Sequence, residues 1–301
     1  MSFIIANPTE KPLGKRIILY LFFVLCGLIF GSLISIIIAK FGQGSINSLK
    51  WGQAISATFL FVLPPIALYL FTRQQPLRQI GLSKPNSMLI MCLGIIIMFA
   101  AMPLISQLTV WNENMQLPAS LSKIEELMKT AEEQAQQLTE QMLDVTTFGG
   151  LIANLVVIAL IAAIGEELTF RGVIQQFLTK ICKNAHVAII LSAAIFSAIH
   201  FQFYGFLPRM LLGIFLGYFF YMTKSLWTSI LMHFANNALA VIAYYLNNIG
   251  AIDIEVDSMG AAPWGMTIIS ALVCIALIIY SWRKMKLEDS NLQKINNQEI
   301  E

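Results

Sequence analysis

Charged residues are scarce in this chain of 301 residues, at 12%, whereas 57% of its residues are hydrophobic. In soluble domains about a quarter of all residues are charged, so the charges of this chain are too few to cover a surface that faces water. The formal net charge of +2, from 19 basic and 17 acidic residues, excludes a nucleic-acid binder that relies on a basic surface. The composition predicts an integral membrane protein whose partners include the lipid bilayer and no nucleic acid.

Cysteine is equally sparse. The four cysteines are far apart, and none belongs to a CxxC or Cys/His finger pattern: Cys26, Cys92, Cys182 and Cys274. Neither a disulfide framework nor a structural zinc module is therefore predicted. The chain also lacks an HExxH sequence, which excludes the zincin type of metal helix.

Long apolar runs are what the chain has in abundance. About 20 apolar residues cross the hydrocarbon core of a bilayer as a helix, and the fifth and sixth runs below are short enough to form a re-entrant hairpin instead. The runs predict an all-α, polytopic membrane fold with about eight transmembrane helices. They are Ile17–Ala39, Ala54–Phe71, Met88–Leu108, Phe148–Ile164, Ala185–Ile199, Met210–Met222, Leu226–Leu246 and Trp264–Trp282.

A further segment, 121–143, has apolar residues at helical spacing between polar and mostly acidic ones. This pattern predicts an amphipathic helix outside the spans. It could lie on the bilayer, cap the helices or dock a partner, and its anionic face argues against binding to acidic lipid.

Basic residues in short loops indicate the cytoplasmic side of a membrane protein. Fourteen of the 19 basic residues fall on one side of the predicted topology, which places both termini in the cytoplasm of a protein of the cell (inner or plasma) membrane. The other side keeps Lys40, Lys50, Lys123, Lys129 and Arg209. The predicted organisation is a cytoplasmic N-terminus at 1–16, one transmembrane domain at 17–282 with a motif core at 148–245, and a polar cytoplasmic tail at 283–301, expected to be disordered.

Two acidic residues, Glu166 and Glu167, directly continue an apolar run. An ionisable group inside the membrane costs about 2.5 to 3.5 kcal/mol on insertion scales, so it indicates a function by default. Glu167 and Arg171 are spaced i, i+4 and could form an ion pair on one helix face. Glu166 points about 100° away and lacks that partner, so its carboxylate suits a general base.

Histidines occur at two further apolar segments. His233 and Asn237 share one helix face and could both donate hydrogen bonds to a developing oxyanion. His200 closes the fifth run, and Phe196 one turn earlier could pack against its ring. Each feature has a structural alternative, namely a helix-packing hydrogen bond or an ionic clip. A straight fifth span would also put His200 at the opposite end of the membrane from Glu166, which conflicts with a shared site.

Together these residues form three motifs in successive predicted helices. They are Glu166-Glu167-x-x-x-Arg171, Phe196-x-x-x-His200 and His233-x-x-x-Asn237. In this order the motifs resemble the CPBP intramembrane proteases, which include type II CAAX prenyl endopeptidases and bacteriocin-processing and immunity proteins. The resemblance covers about residues 148–245.

The resemblance implies peptide-bond hydrolysis in a membrane cavity open to the cytoplasm. It implies that Glu166 and His200 position and deprotonate a water, and that His233 and Asn237 stabilise the oxyanion. The implied supporting residues are Glu167, Arg171 and Phe196. The family has also been described as metal-dependent, so a zinc site formed by Glu166, His200 and His233, with an open position for water, is an alternative to a metal-free mechanism.

Three functions follow from the motifs. The first is an intramembrane endopeptidase, of glutamate or metallo type, that acts on a membrane-associated protein or peptide such as a prenylated CAAX protein or a bacterial peptide. The second is a catalytically silent scaffold or bacteriocin-immunity factor of the same fold. The third is a transporter that uses the buried acids and histidines as a proton relay. The sequence does not indicate an oligomeric state.

Overall fold

The computed structural model describes residues 11–72, 81–82, 87–253 and 262–298. Within these ranges every regular element is helical, which confirms the all-α prediction. The first ten residues of the predicted N-terminal segment and the last three of the tail lie outside them. The helices are α1 (Leu13–Phe41), α2 (Ile46–Phe71), α3 (Met88–Ala100), α4 (Met102–Glu113), α5 (Ser122–Leu143), α6 (Phe148–Cys182), α7 (Ala185–Ala198), α8 (Phe206–Thr223), α9 (Leu226–Asn248) and α10 (Trp264–Gln298).

Among the described residues, six helices are long and apolar enough to cross a membrane, or seven if α3 and α4 form one span. These two helices meet at an angle of 45°. Pro103 lies in the first turn of α4, and its missing amide hydrogen accounts for the break. Helix α7 is apolar but has only 14 residues. Counting the bent pair and α7, the apolar segments agree with the prediction of about eight.

Helix α6 is much longer than the predicted span Phe148–Ile164, because it continues through the polar motif to Cys182. Its 35 residues extend over roughly 50 Å at about 1.5 Å per residue, well beyond the hydrocarbon thickness of about 30 Å. The acidic pair therefore lies near the middle of the helix rather than at its end. Two π-helical stretches flank the pair, Leu155–Ile161 and Phe170–Ile174, and such bulges are frequent at functional sites.

A tight hairpin joins α6 to α7. Lys183 adopts a left-handed conformation with φ of 53°, and Asn184 accepts hydrogen bonds from the backbone of His186 and Val187 to begin α7. The part of α6 from Glu167 to the turn and the segment from the turn to residue 200 are each about 23 Å long, at about 1.5 Å per residue. The return path thus brings His200 back to the level of Glu167, and the conflict found in the sequence disappears.

Helix α8 packs closely on this hairpin through glycines. A Cβ atom added at Gly213 would lie 3.0 Å from the Cβ of Ala193, and one added at Gly217 would lie 2.9 Å from Oε1 of Gln175. Small residues allow such close approach of helices. The hairpin, α8 and α9 therefore form one compact group around the middle of α6.

The amphipathic helix is confirmed as α5, Ser122–Leu143, and its end is tied to two spans. The amide of Asn154 on α6 donates to the carbonyl of Met142 at 3.0 Å, and that of Asn248 on α9 donates to the carbonyl of Leu143 at 2.9 Å. Helix α5 thus caps these helices. At the other end of the chain, the prediction of a disordered tail is wrong up to Gln298, because α10 continues as one helix through the polar residues.

Candidate active site

Glu167 is the centre of the polar cluster. Its carboxylate is fully buried, and one oxygen, Oε1, accepts hydrogen bonds from Nη1 of Arg171 at 2.6 Å and from Nδ1 of His233 at 2.9 Å. The ion pair with Arg171 forms as the i, i+4 spacing predicts. The contact with His233 joins α6 to α9.

Arg171 extends the cluster to two more helices. Its Nη2 donates to the carbonyl of Gly213 on α8 at 2.8 Å, and its guanidinium lies 5.2 Å from the ring centre of Phe196 on α7. The side chain is only 1% exposed. A buried cation is tolerated when charge and hydrogen bonds compensate it, and Arg171 obtains both while it connects three helices.

Phe196 separates the two histidines. Its ring makes edge-to-face contacts with Phe170, His200 and His233, at centroid distances of 5.1, 5.2 and 5.9 Å. Nδ1 of His200 is 2.8 Å from the carbonyl oxygen of Phe196. A carbonyl only accepts, so Nδ1 of His200 carries the hydrogen and a neutral ring keeps its Nε2 lone pair free.

Glu166 faces the second nitrogen of His233. Its Oε2 lies 3.7 Å from Nε2 of that ring, beyond direct hydrogen-bond distance. Nδ1 of His233 is held by Glu167, so the ring presents Nε2 toward Glu166 in a fixed orientation. The Glu166 side chain is 14% exposed, in contrast to the fully buried Glu167. The two neighbouring acids thus have different surroundings.

Asn237 lies one turn beyond His233 on α9. Its Nδ2 donates a long hydrogen bond of 3.4 Å to the carbonyl of Ile158, which belongs to a π-helical stretch of α6, and its Oδ1 accepts from Asn236 at 3.2 Å. A carboxamide has two donor hydrogens. One of them remains for a further acceptor.

Residues 148–239 match a family model described as type II CAAX prenyl endopeptidase Rce1-like. This segment contains all three motifs. The match supports the CPBP family for this motif core. The match supports a CAAX-type intramembrane protease at the level of the family, and an integral membrane protein that acts on membrane-associated substrates. No curated protein and no solved structure matches the chain.

The CPBP motifs omit an arginine that the fold brings to the site. Arg209, in the first turn of α8, acts electrostatically on Glu166 and on Glu132 of α5, and its Nη2 donates to Oε1 of Gln202 at 2.6 Å. Two sequence signals mark it: Arg209 is among the five basic residues on the minority side, and a cation near a helix N-terminus is unfavourable. Neither signal could show its proximity to Glu166.

Gln202 belongs to the connection between α7 and α8, which α4 and α5 hold in place. Asn112 of α4 donates to the carbonyl of Phe203 at 2.9 Å and accepts from the backbone of Leu207 at 2.7 Å. Glu132 accepts from the backbone of Tyr204 at 3.0 Å. Beneath α5 lies a cavity of about 310 Å³, lined by Glu132, Gln136, Thr139, Gln202 and Tyr244.

The predicted zinc ligands can be compared with this arrangement. Within the described ranges, no three His, Cys, Asp or Glu side chains lie together in a way that could hold one metal ion. The ring of Phe196 lies against both histidines. As placed here, Glu166, His200 and His233 do not fit a three-ligand metal site, and the mechanism below uses no metal.

Proposed function

We propose that this protein is an endopeptidase that hydrolyses a peptide bond of a membrane-associated protein or peptide with a glutamate-activated water. The observation that carries the proposal is the gap of 3.7 Å between Glu166 and Nε2 of His233. Oε2 of Glu166 faces Nε2 of His233 at this distance, and the other ring nitrogen of His233 is held by Glu167. Oriented groups that converge on a small molecule are what general acid–base catalysis requires.

In the proposed reaction Glu166 takes a proton from the water, whose oxygen attacks the carbonyl carbon of the substrate. His200 contributes its free Nε2 to hold the water. The resulting acid, Glu166, then returns the proton to the amine nitrogen as the carbon–nitrogen bond breaks. One water is consumed, and one carboxylate and one amine are formed.

The oxyanion of the tetrahedral intermediate is assigned to His233 and Asn237. The carboxylate of Glu167 accepts from Nδ1 of His233, and a ring that also carries a hydrogen on Nε2 can donate it to the oxyanion. Asn237 contributes its remaining amide hydrogen. Preorganised donors of this kind stabilise charge that develops during the reaction. Arg171 and Phe196 hold these groups in position without touching the substrate.

The proposed setting follows from the charge distribution along the sequence. We propose that both termini lie in the cytoplasm of a cell-membrane protein. A prenylated CAAX peptide is the first substrate to test, because the matching family model is described by that activity.

The test is cleavage of an S-farnesylated CAAX peptide by the purified full chain, compared with Glu166→Gln. Glu133→Gln is the matched control, because Glu133 is an exposed acid on α5. We expect Glu166→Gln to lose roughly 10²- to 10⁴-fold in rate, the contribution of a general base, and Glu133→Gln to keep it.

Full activity of Glu166→Gln would contradict the mechanism. If the unchanged protein cleaves neither farnesylated nor unmodified peptides, the result would favour the scaffold hypothesis. Proton-coupled flux in liposomes would favour the transporter hypothesis. Metal analysis of the same preparation tests the zinc hypothesis: stoichiometric zinc, with activity lost on chelation and regained on zinc addition, would replace the metal-free mechanism.

A further inference from the structure

Two arginines of the site each have one buried nitrogen without a hydrogen-bond partner among the described residues, Nε of Arg171 and Nη1 of Arg209. Arg171 is bonded to a carboxylate, whereas Arg209 is bonded to the neutral amide of Gln202. One terminal nitrogen, Nη2, donates to Gln202. The other, Nη1, is out of contact with solvent and has no hydrogen-bond partner among the described residues. A buried donor without a partner costs free energy. The position is therefore one where a further acceptor would be stabilised.

The backbone makes room for this guanidinium. A Cβ atom added at Gly205 would lie 3.0 Å from Nη2 of Arg209, closer than most contacts between packed atoms. The φ of Gly205 is −99°, which other residues also adopt. Space for the guanidinium, rather than backbone conformation, is thus what a side chain at position 205 would disturb.

The surrounding charges leave the guanidinium available. The carboxylates of Glu132 and Glu166 both act on it electrostatically, but within the described part of the chain neither forms an ion pair with it. This differs from Arg171, whose carboxylate partner lies at 2.6 Å. Gln202, the hydrogen-bond partner of Arg209, lines the cavity beneath α5. Arg209 is thus linked to that cavity through Gln202 and to Glu166 through charge.

We propose that Arg209 is a substrate-binding residue that binds a carboxylate of the peptide substrate next to the reacting bond. The proposal rests on the proposed function, since it concerns the peptide that Glu166 would cleave. A guanidinium matches a carboxylate in shape and charge, and charge-assisted hydrogen bonds are among the strongest. A purely structural role, in which Arg209 holds the α7–α8 connection through Gln202, predicts no preference for a carboxylate.

The carboxylate has two possible sources, the end of the peptide chain or an acidic side chain. Three S-farnesylated peptides distinguish them: one with a free C-terminus, the same peptide as an amide, and an amidated peptide with glutamate as its last residue. Binding is measured on the full chain with Glu166→Gln, which holds the peptides uncleaved. We expect the free acid to bind about tenfold or more tightly than the amide, as one charge-assisted contact implies.

The deciding variant is Arg209→Gln in the same background. It should reduce the binding of the free acid to that of the amide and leave the amide unchanged. Arg283→Gln is the matched control, because Arg283 is an exposed arginine on α10, and it should keep the preference. The glutamate peptide assigns the source: binding like the free acid indicates that a side chain suffices, and binding like the amide indicates the chain end.

Several results would overturn the proposal. They are equal binding of all three peptides by the protein with Arg209 intact, a preference that survives Arg209→Gln, and no binding of any peptide. If Arg209→Gln does not fold, Gly205→Ala replaces it, because the added methyl shifts the guanidinium but keeps its charge and should narrow the preference. A preserved preference without cleavage by the unchanged protein would contradict the proposed function alone.

Discussion

The site has two halves that differ in whether their charged groups are directly paired. In the inner half, Glu167, Arg171 and His233 are 0%, 1% and 3% exposed and are joined by hydrogen bonds shorter than 3 Å. In the outer half, Glu166 is partly exposed and lies 3.7 Å from the His233 ring, and Arg209 donates to the neutral amide of Gln202 instead of to a carboxylate. The inner half fixes geometry, and the outer half offers groups that a water and a peptide can use.

The difference between the two halves arises because their two glutamates are adjacent in the same helix and point in different directions. Glu166 and Glu167 have the same side chain, but they are about 100° apart around the helix. Glu167 bonds Arg171 and Nδ1 of His233, whereas Glu166 is partly exposed and lies opposite Nε2 of His233. Buried charges that are paired contribute rigidity, and removal of one partner leaves the other uncompensated. The two halves should therefore respond to substitution in different ways, the inner one in stability and the outer one in rate.

The largest effect is expected when the inner half is broken by Arg171→Met. This change leaves the Glu167 carboxylate buried without its cation, and we expect a loss of about 3 to 5 kcal/mol in unfolding free energy, together with loss of cleavage. Thermal unfolding of the purified protein in detergent measures it. Arg283→Met, at an exposed site on α10, is the control and should be close to the unchanged protein. An Arg171→Met protein of normal stability would show that the inner half does not support the fold.

Much of the fold and of the site could be predicted from residue spacing and from apolar runs. The ion pair of Glu167 with Arg171 depends only on positions four apart, and the helical segments follow from runs of apolar residues. The end of α6 could not be found in this way, because its second half is polar on one side and buried by α7 and α8. Apolar length predicts a helix that faces lipid, not one that other helices cover.

Contacts between helices could not be predicted from the sequence, for a different reason. The bond from His233 to Glu167 and the approach of Arg209 to Glu166 join residues far apart in the chain. The approach of Arg209 depends on the equal lengths of the two arms of the α6–α7 hairpin, which precedes it in the chain, and on the close packing of α8 at Gly213. No local pattern encodes those distances, although the unusual place of Arg209 near a helix N-terminus was visible.

A smaller effect, confined to rate, is expected for Asn237→Ala in the outer half. Loss of an oxyanion donor lowers kcat by roughly 10²- to 10³-fold with little change in KM, since the interaction belongs to the transition state. Asn236→Ala is the matched control on the same helix, because it removes only a bond of 3.2 Å to Asn237, and it should cost less than tenfold. Equal losses from both changes would argue that the two amides only join helices.

The smallest effect concerns how α5 docks over the outer half. Glu125 accepts from the hydroxyl of Tyr204 at 3.4 Å and pairs with Lys129 at 2.9 Å. Hydrogen bonding to Lys129 lowers the pKa of the Glu125 carboxyl. A lowered carboxyl pKa means that the contribution is present above the ordinary pKa and is lost as the pH falls through the lowered value.

Glu125→Gln should therefore imitate acidification by weakening the hold of α5 on the α7–α8 connection. We expect modestly faster hydrogen exchange of the amides at 201–205 in this variant, and the same increase in the unchanged protein below the lowered pKa, after correction for intrinsic rates. Glu126→Gln, at an exposed neighbouring acid, controls for the loss of charge. Because α5 covers the cavity next to Arg209, the exchange should rise without any fall in thermal stability. A fall in stability instead would mean that α5 belongs to the rigid inner half, and the division of the site would have to be redrawn.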